Sequence, residues 1–312
     1  MGVLKKLIFR MKKAVAYLTL STTSTSATWS PQGITNTGTA LTWDVTGDIA
    51  PTSQNLDDPT FDLSANMGTV NMSVYDVLGL VEYYTGENYL TSLDVSKAIN
   101  LTLLRCSFNQ LTSLDVSNNT LLTSLNCRDN LLTNISLLSC INLSYFQADF
   151  NQFSSLDVSQ CIGLQYLYFG YNLITTIDIS NNTNLLELGL AYSSSLATLD
   201  VSNNNLLELV QVTNSLITTF DISNNPSLWM LSVYDNPQLT SLDISNNPLL
   251  SMVECQGNNM TPTSTDNIFI SLAGFSISNG TLHIRNNRTS ASDTARANLI
   301  TRGWNILDTY TT

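Results

Sequence analysis

Histidine is almost absent from this sequence. One histidine, His283, occurs in 312 residues, which excludes metal sites built from two or three histidines and most histidine-dependent catalysis. Charged residues are scarce as well, at 12% of the chain, about half the usual share. The surface must therefore be solvated largely by the hydroxyl and amide groups of serine, threonine and asparagine.

Basic residues are few and unevenly placed. The chain has 12 Lys and Arg against 24 Asp and Glu, and the net charge of −12 argues against a nucleic-acid-binding body. Only three cations lie between Ala14 and Thr281, whereas five lie in the first thirteen residues: Lys5, Lys6, Arg10, Lys12 and Lys13. We predict that residues 1–27 form a basic arm that anchors the protein to other subunits.

The apolar run Ala14–Leu20 follows these cations and is seven residues long, far too short to span a bilayer. It has the minimum length for the core of a secretory signal, and Ala27 is a candidate small residue at a cleavage site. We expect the arm to be retained, and a cleaved signal is the alternative.

A repeat of 21 or 22 residues fills the middle of the chain. The tetrapeptide Leu-Asp-Val-Ser or a close variant begins eight times, at Leu93, Leu114, Ile135, Leu156, Ile177, Leu199, Phe220 and Leu242. Upstream of each copy stands a Leu-x-x-Leu-x-Leu/Cys/Val-x-x-Asn-x-Leu pattern, as in Leu101, Leu104, Cys106, Asn109 and Leu111. Such a period indicates stacked coils, because no single coil can bury its own apolar face.

This pattern resembles the leucine-rich repeat family, from about residue 80 to residue 260. The resemblance implies a leucine-rich repeat solenoid, a right-handed coil with a parallel β-sheet and little helix. The first, degenerate repeat places a strand at Thr85. The other strand centres are expected at Cys106, Cys127, Ala148, Phe169, Leu190, Val212, Val233 and Cys255.

One polar column runs through the repeats: Asn88, Asn109, Asn130, Asn151, Asn172, Ser193, Ser215, Asn236 and Asn258. In the family, the buried amide at this position bonds the backbone where the chain leaves the strand, and the resemblance implies the same here. Asn119 lies outside this column. We therefore expect Asn119→Ala to be less destabilising than Asn151→Ala.

The return segments carry recurrent aspartates, at Asp94, Asp115, Asp157, Asp178, Asp200, Asp221 and Asp243. We predict that they accept hydrogen bonds from turn amides. A calcium ladder is disfavoured, because no Gly-rich Asp-x-Asp ligand loop is present. Cys106, Cys127 and Cys255 fall on inward strand positions. Cys140 and Cys161 lie one repeat apart on the return side, where a disulfide is geometrically possible but free thiols are favoured.

The two ends differ from the repeats, so we divide the chain into an arm (1–27), a small β module (28–78), the solenoid (79–260) and an α+β C-terminal cap (261–312). In the module, strands are predicted at 40–46, 60–64 and 69–75, with a hairpin turn at 66–68. In the cap, helices are predicted at 266–273 and 292–301, and strands at 280–285 and 304–306. The cap resembles the closing cap of leucine-rich proteins from Bacteroidetes and their bacteriophages.

Aromatic residues collect at positions that face outward from the predicted sheet: Tyr84, Phe108, Tyr145, Phe150, Tyr166, Tyr168, Tyr171, Tyr192 and Tyr234. Tyrosine and phenylalanine favour strands, so the row has a purely structural explanation. The alternative is a recognition face, concentrated between Tyr145 and Tyr192 and flanked by carboxylates. Such a face suits either a glycan or a polar protein surface.

We expect no catalysis, no cofactor and no metal site, because an open sheet face cannot bury a catalytic carboxylate and His283 lies in the cap. The favoured function is that of a phage virion surface protein, as a capsid decoration, head fibre or tail component that contacts other virion proteins through its N-terminal region. The basic arm, the weak signal and the lack of a C-terminal sorting domain suggest this. A secreted or cell-surface bacterial adhesin is the alternative.

Overall fold

The computed structural model describes residues 17–22, 32–35, 42–46, 50–51, 61–62, 70–75, 80–85, 90–285 and 287–308, with side chains from Glu82 onward. The chain forms two compact units, unit 1 (Met1–Gln152) and unit 2 (Phe153–Thr312). Several predicted features lie outside the described residues, namely Lys5, Lys6, Arg10, Lys12, Lys13, Ala27, Asn88 and the hairpin turn at 66–68.

Unit 1 begins with antiparallel pairing. Its strands are β1 (Tyr17–Thr22), β2 (Gln32–Thr35), β3 (Thr42–Thr46), β4 (Ala50–Pro51), β5 (Phe61–Asp62), β6 (Val70–Tyr75), β7 (Leu80–Tyr84) and β8 (Leu90–Asp94). One sheet has the order β3-β6-β1-β8, while β2 pairs with β7 and β4 with β5. Strands β3, β5 and β6 match the predicted strands. Strand β1 was not predicted and lies within the segment interpreted as the arm, whose boundary stays a prediction.

Parallel pairing takes over at β7, which pairs with β9 (Leu103–Arg105). Strand β9 pairs in turn with β10 (Ser124–Asn126), and β10 with β11 (Tyr145–Gln147). Residues one repeat apart face each other across these strands, as Leu104, Leu125 and Phe146 do. All three central side chains are fully buried, so the inward column is continuous through unit 1.

Unit 2 continues the same pattern with seven strands. They are β12 (Tyr166–Tyr168), β13 (Glu187–Gly189), β14 (Leu209–Gln211), β15 (Met230–Ser232), β16 (Met252–Glu254), β17 (Thr281–His283) and β18 (Asn305–Leu307). Each pairs in parallel with the next. These short parallel strands, one for each repeat and with buried central residues, establish a leucine-rich repeat solenoid with little helix.

The predicted strand centres are two residues too late. The observed strand is centred on Leu104 rather than Cys106, and the same offset holds for the other repeats. Cys106 is nevertheless fully buried, and its N–H donates to Asn126 O at 2.8 Å. Regular strand structure ends there because Phe108 adopts a left-handed conformation with φ of 55°. The inward register was therefore predicted correctly, and only the strand bounds were wrong.

The predicted asparagine column is confirmed where the structure describes it. Asn151 Nδ2 donates to Cys127 O at 3.0 Å and Ala148 O at 3.2 Å, and its Oδ1 accepts from Leu132 N at 2.9 Å. Asn109, Asn130 and Asn236 make the same kind of bonds. The column is interrupted at Ser193, whose buried Oγ has no hydrogen-bond partner, whereas Ser215 Oγ donates to Asn236 Oδ1 at 2.6 Å.

A second asparagine column, on the return side, was missed. Asn119 is fully buried, and its Nδ2 donates to Val95 O at 3.0 Å and Ala98 O at 2.8 Å. Equivalent bonds are made by Asn182, Asn204, Asn225 and Asn247. The premise that Asn119 supports no buried backbone was therefore wrong. Cys140 and Cys161 occupy this same repeat position and are buried thiols that are not joined in a disulfide.

Both asparagine columns are expected to support stability. Asn119→Ala removes two buried hydrogen bonds, to Val95 O and Ala98 O, each of which keeps one backbone donor. At about 0.5–1.5 kcal/mol for each bond, we expect the variant to lower the free energy of unfolding by about 1–3 kcal/mol. Asn151→Ala should cost more, because the Asn151 amide also accepts a hydrogen bond whereas Asn119 Oδ1 has no partner. Urea unfolding measures both, with the exposed Asn134→Ala as the control. An Asn119→Ala variant as stable as this control would contradict the role of the second column.

The turn aspartates behave as predicted. Asp115 Oδ1 accepts from Ser117 N at 2.9 Å, and the same bond to the serine two residues later recurs at Asp94, Asp157, Asp178, Asp200, Asp221 and Asp243. The hydrogen bonds from Ser117 lower the pKa of Asp115. Hydrogen bonds from the corresponding serines lower the pKa values of Asp157, Asp178, Asp200 and Asp221.

Acid is therefore expected to destabilise the solenoid. The folded pKa values of these aspartates lie below the unfolded value of about 3.9, so their contribution to stability is present above that pH. It is lost as the pH falls through the folded pKa values. Melting temperatures between about pH 6 and pH 2 test this, and replacing the five shifted aspartates by asparagine should flatten the acid limb. An equally steep fall in the variant would contradict the assignment.

The C-terminal part of unit 2 contains two helices, α1 (Pro262–Gly274) and α2 (Asp293–Thr301). Helix α1 begins four residues before the predicted start, because Thr261 caps it by accepting from Ser264 N and Pro262 fits the first helical turn. Helix α2 matches its prediction and ends at Thr301, two residues before Gly303, whose φ of 81° favours glycine. No helix among the described residues is long and apolar enough to cross a membrane.

Candidate binding surface

Each short strand sends its central side chain inward and its flanking side chains outward. In β12, Leu167 is fully buried while Tyr166 and Tyr168 are half-buried. Two further outward positions follow each strand. The nine aromatics predicted to face outward fall into both units: Tyr84, Phe108, Tyr145 and Phe150 in unit 1, and Tyr166, Tyr168, Tyr171, Tyr192 and Tyr234 in unit 2. That Tyr145 shares one patch with the tyrosines of unit 2 stays a prediction.

Four of these aromatics are not in strands. Phe108, Phe150, Tyr171 and Tyr192 have φ values of 52–57°, in the left-handed region. Asparagine, aspartate and glycine favour this conformation, and they fill the same repeat position at Asp129, Asn214, Asp235 and Gly257. An ordinary side chain there costs roughly 1 kcal/mol. Strand preference therefore cannot explain these four rings.

Three of the four outward rings in unit 1 are covered by arginine side chains of the same unit. The guanidinium carbon of Arg105 lies 5.3 Å from the centroid of the Tyr84 ring. That of Arg128 lies 5.6 Å from the Phe108 ring and 4.9 Å from the Phe150 ring. Arg128 Nε also bonds Asp129 Oδ2 at 2.8 Å. These contacts are cation–π interactions backed by an ion pair.

In unit 2 the rings pack on each other and on glycine. Tyr171 and Tyr192 are stacked, with ring centroids 4.3 Å apart and an interplanar angle of 16°. Tyr168 donates a hydrogen bond from its hydroxyl to Glu187 Oε2. The Tyr168 ring lies against Gly189, where an added Cβ would come within 2.8 Å of Tyr168 Cδ1. The glycine thus makes room for the ring.

A second cluster extends the surface toward the cap. Burial raises the pKa of Tyr234, and the side-chain hydrogen bond with Tyr192 and the charge of Glu254 raise it further. Glu254 Oε2 accepts from Ser232 Oγ at 2.8 Å, and Glu254 Oε1 lies 3.5 Å from His283 Nδ1. Tyr171, Tyr192, Tyr234 and Glu254 therefore lie at outward positions in the repeats of β12, β13, β15 and β16, with the repeat of β14 between Tyr192 and Tyr234.

One member of this cluster, His283, was missed as a site residue. It lies in strand β17, and its Nδ1 lies 3.5 Å from Glu254 Oε1. The spacing hid this contact, because helix α1 makes residue 283 the partner of residue 254 at a separation of 29 rather than 21 residues. Among the described residues, no group of three or more His, Cys, Asp or Glu is placed to hold a metal ion.

No protein-family model and no curated protein matches the chain. Similar solved structures are leucine-rich repeat proteins with a parallel sheet. The functional domain of InlJ from Listeria monocytogenes, described as including a cysteine ladder, is 29% identical with a TM-score of 0.57. The match covers 69% of this chain and 51% of that chain, so the present chain spans about half the length of that structure.

Two further structures are more distant. Internalin C2 from Listeria monocytogenes strain 4b F2365 is 22% identical, with 61% of this chain and 76% of that chain covered and a TM-score of 0.43. A leucine-rich repeat protein of Leptospira interrogans is 18% identical, with 64% of each chain covered and a TM-score of 0.43.

Proposed function

We propose that the chain is a non-enzymatic recognition protein of the adhesin type, which binds its partner on the outward sheet face of unit 2. The observation that carries this proposal is the row Tyr171, Tyr192 and Tyr234, in which two rings occupy left-handed backbone positions that do not favour them. Exposed tyrosines on a rigid sheet offer contact area at low entropic cost. The similarity to InlJ, a listerial protein with a functional domain of this fold, supports a binding role.

The contacts on this face do not favour catalysis. Ser232 donates to Glu254 rather than to His283, so serine, histidine and carboxylate are not in the order that activates a nucleophile. The side chains of Glu254 and His283 also keep 18% and 26% of their surface accessible. A catalytic general acid is typically enclosed more deeply than that.

The cysteines fit a structural role. Cys106 and Cys127 occupy inward positions one repeat apart in unit 1, and both are fully buried. Burial raises the pKa of Cys106 to about 12 and that of Cys127 well above its ordinary value. Since the thiolate is the reactive form, neither thiol is suited to nucleophilic or redox chemistry at neutral pH. They resemble a short cysteine ladder packed in the core.

We place the protein on a cell surface or outside the cell, where an adhesin acts. Display on a phage virion was the favoured interpretation of the sequence, and it would use the same face. It depends on the basic residues of the arm, which lie outside the described residues, and the similarity to InlJ gives it no support. Both interpretations, adhesin and virion protein, share one function, the binding of another protein.

Attachment of the purified chain to arrays of extracellular proteins and glycans tests the proposal. The triple variant Tyr166→Ala, Tyr168→Ala, Tyr171→Ala should lose most of the signal. The matched control is Leu206→Ala, Leu249→Ala, which removes exposed apolar side chains from return segments of the same unit. Unchanged attachment by a triple variant with a native circular dichroism spectrum would leave the rings as structural packing.

A further inference from the structure

Three neighbouring strands of unit 2 carry an apolar column on the outward face of the sheet. Leu209, Met230 and Met252 are the first residues of β14, β15 and β16, and each pairs with the next in register. All three are half-buried, whereas the residue after each is fully buried. Paired strands lie about 4.8 Å apart, so the three outward side chains form one contiguous surface.

Trp229 extends this surface where the chain enters β15, and 42% of its surface is accessible. Its backbone N–H donates to Glu208 O at 3.0 Å, which places it one coil after Glu208. The outward position of Met230 is filled by Glu187 in β13 and by Thr281 in β17, so an apolar residue is not required there. Contiguous apolar surface rimmed by charged residues is typical of protein interaction sites. We call Leu209, Trp229, Met230 and Met252 the apolar patch.

Carboxylates border the apolar patch on the side of β13. Glu187 pairs with Leu209 in register, and Glu208 precedes Leu209 and is exposed. The arginines of unit 2, which has no lysine, all follow β17, beginning with Arg285, and three of the four bond groups of the cap itself. Strand β17 lies about 14–19 Å from β14 and β13 by strand spacing, beyond the screening length of about 8 Å in physiological salt. Neither carboxylate therefore has a counter-charge from the described part of unit 2.

We propose that the apolar patch and these two carboxylates bind residues 1–13 of a second copy of this chain. That segment has five cations and no acid, and its other residues are apolar apart from Gly2. Apolar side chains beside cations match an apolar patch beside carboxylates. The inference goes beyond the proposed function, because the patch lies where the strands begin, whereas Tyr171, Tyr192 and Tyr234 follow the strand ends.

Charge favours this occupant over the same patch of a second copy. Two patches placed face to face would bring their carboxylates together, and like charges across an interface are strongly unfavourable. A cationic segment with apolar side chains removes that repulsion and buries the methionine and tryptophan side chains. Contact between the first residues of one copy and unit 2 of the next is heterologous, so the copies should join into chains or rings rather than stop at a dimer.

Sedimentation velocity of the full chain, purified from the cells that produce it, tests the proposal. The average mass should rise beyond that of a dimer as the protein concentration increases. Association should weaken at least about tenfold when NaCl is raised from about 0.05 M to about 0.5 M, because the screening length falls to about 4 Å. A mature chain whose intact mass lacks residues 1–13, or one that stays monomeric throughout, would overturn the proposal.

Two variants separate the two sides of the contact. The patch variant is Trp229→Gln, Met230→Gln, with both changes at accessible positions. The segment variant replaces the five cations, as Lys5→Gln, Lys6→Gln, Arg10→Gln, Lys12→Gln and Lys13→Gln. Each variant alone should be monomeric. Mixed in equal amounts, they should form a dimer of one copy of each and nothing larger, because one supplies the segment and the other supplies the patch. A mixture that stays monomeric, or a variant that associates alone as strongly as the unaltered chain, contradicts the proposal.

Two further variants establish that the effect is specific. Glu187→Gln, Glu208→Gln retains the apolar patch and should weaken association about five- to tenfold through the loss of charge alone. The control Ile162→Gln removes an apolar side chain that is 61% accessible from a return segment of the same unit, and it should associate normally. Undiminished association by the carboxylate variant, or loss of association in the Ile162→Gln control, would overturn the proposal.

Discussion

Replacing Tyr171 and Tyr192 with asparagine is expected to abolish partner binding while leaving the protein folded. Both residues have left-handed φ values, and asparagine already fills this repeat position at Asn214. Relief of the backbone contributes about 1 kcal/mol per residue. Loss of the Tyr171–Tyr192 stack costs about 0.5–1.5 kcal/mol, so the free energy of unfolding should change little.

Binding should respond very differently from stability. Central aromatic contacts in protein interfaces are often worth 2 kcal/mol or more, so losing both rings should weaken binding by about a hundredfold or more. Surface plasmon resonance against the array ligand measures this, beside urea unfolding of the same samples. Asn214→Gly is the control, because it alters the same backbone position without removing a ring. If the double variant binds with an affinity within twofold of that of the unaltered protein, the two rings serve only in packing.

Features set by the repeat period could be predicted from the sequence. The inward register, the first asparagine column and the turn aspartates all depend on contacts between residues one repeat apart or within one turn. Asn151 and Asp115 illustrate the two cases. A regular spacing brings such groups together whatever the exact strand bounds are. For this reason the predicted strand centres could be two residues too late while the predicted set of inward-facing residues was still correct.

Features that depend on coil geometry could not be predicted. The segment Ser117-Asn118-Asn119 contains two asparagines with the same turn preference, yet Asn119 alone is fully buried and bonds the preceding coil. The pairing of Glu254 with His283 depends on how helix α1 is accommodated, and the repeat period contains no signal for it. The left-handed conformation of Tyr171 and Tyr192 was likewise hidden, because aromatic residues predict strand rather than a turn.

Gly170 provides the second large expected effect, because its importance is also invisible in the sequence. The same repeat position holds Ala191, Thr213 and Tyr234, so a side chain is ordinarily accepted there. At Gly170, however, an added Cβ would lie 2.5 Å from Ala191 O and 3.1 Å from Ala191 N. Both atoms belong to the backbone, and Tyr171 N donates to that same Ala191 O at 2.8 Å.

We therefore expect Gly170→Ala to lower the free energy of unfolding by about 2 kcal/mol or more, since the neighbouring backbone must move away and lengthen the Tyr171–Ala191 hydrogen bond. Gly163→Ala is the matched control in the same repeat. An added Cβ there meets nothing within 4 Å, and the smaller conformational freedom of the unfolded chain should make the variant neutral or more stable by up to about 1 kcal/mol. Urea unfolding of the two variants gives the difference directly.

Because Tyr171 follows Gly170, the displaced backbone should also shift the Tyr171 ring from its stack on Tyr192. Partner binding by Gly170→Ala should then fall below that of Gly163→Ala, and equal stability and equal binding in the two variants would contradict the close approach.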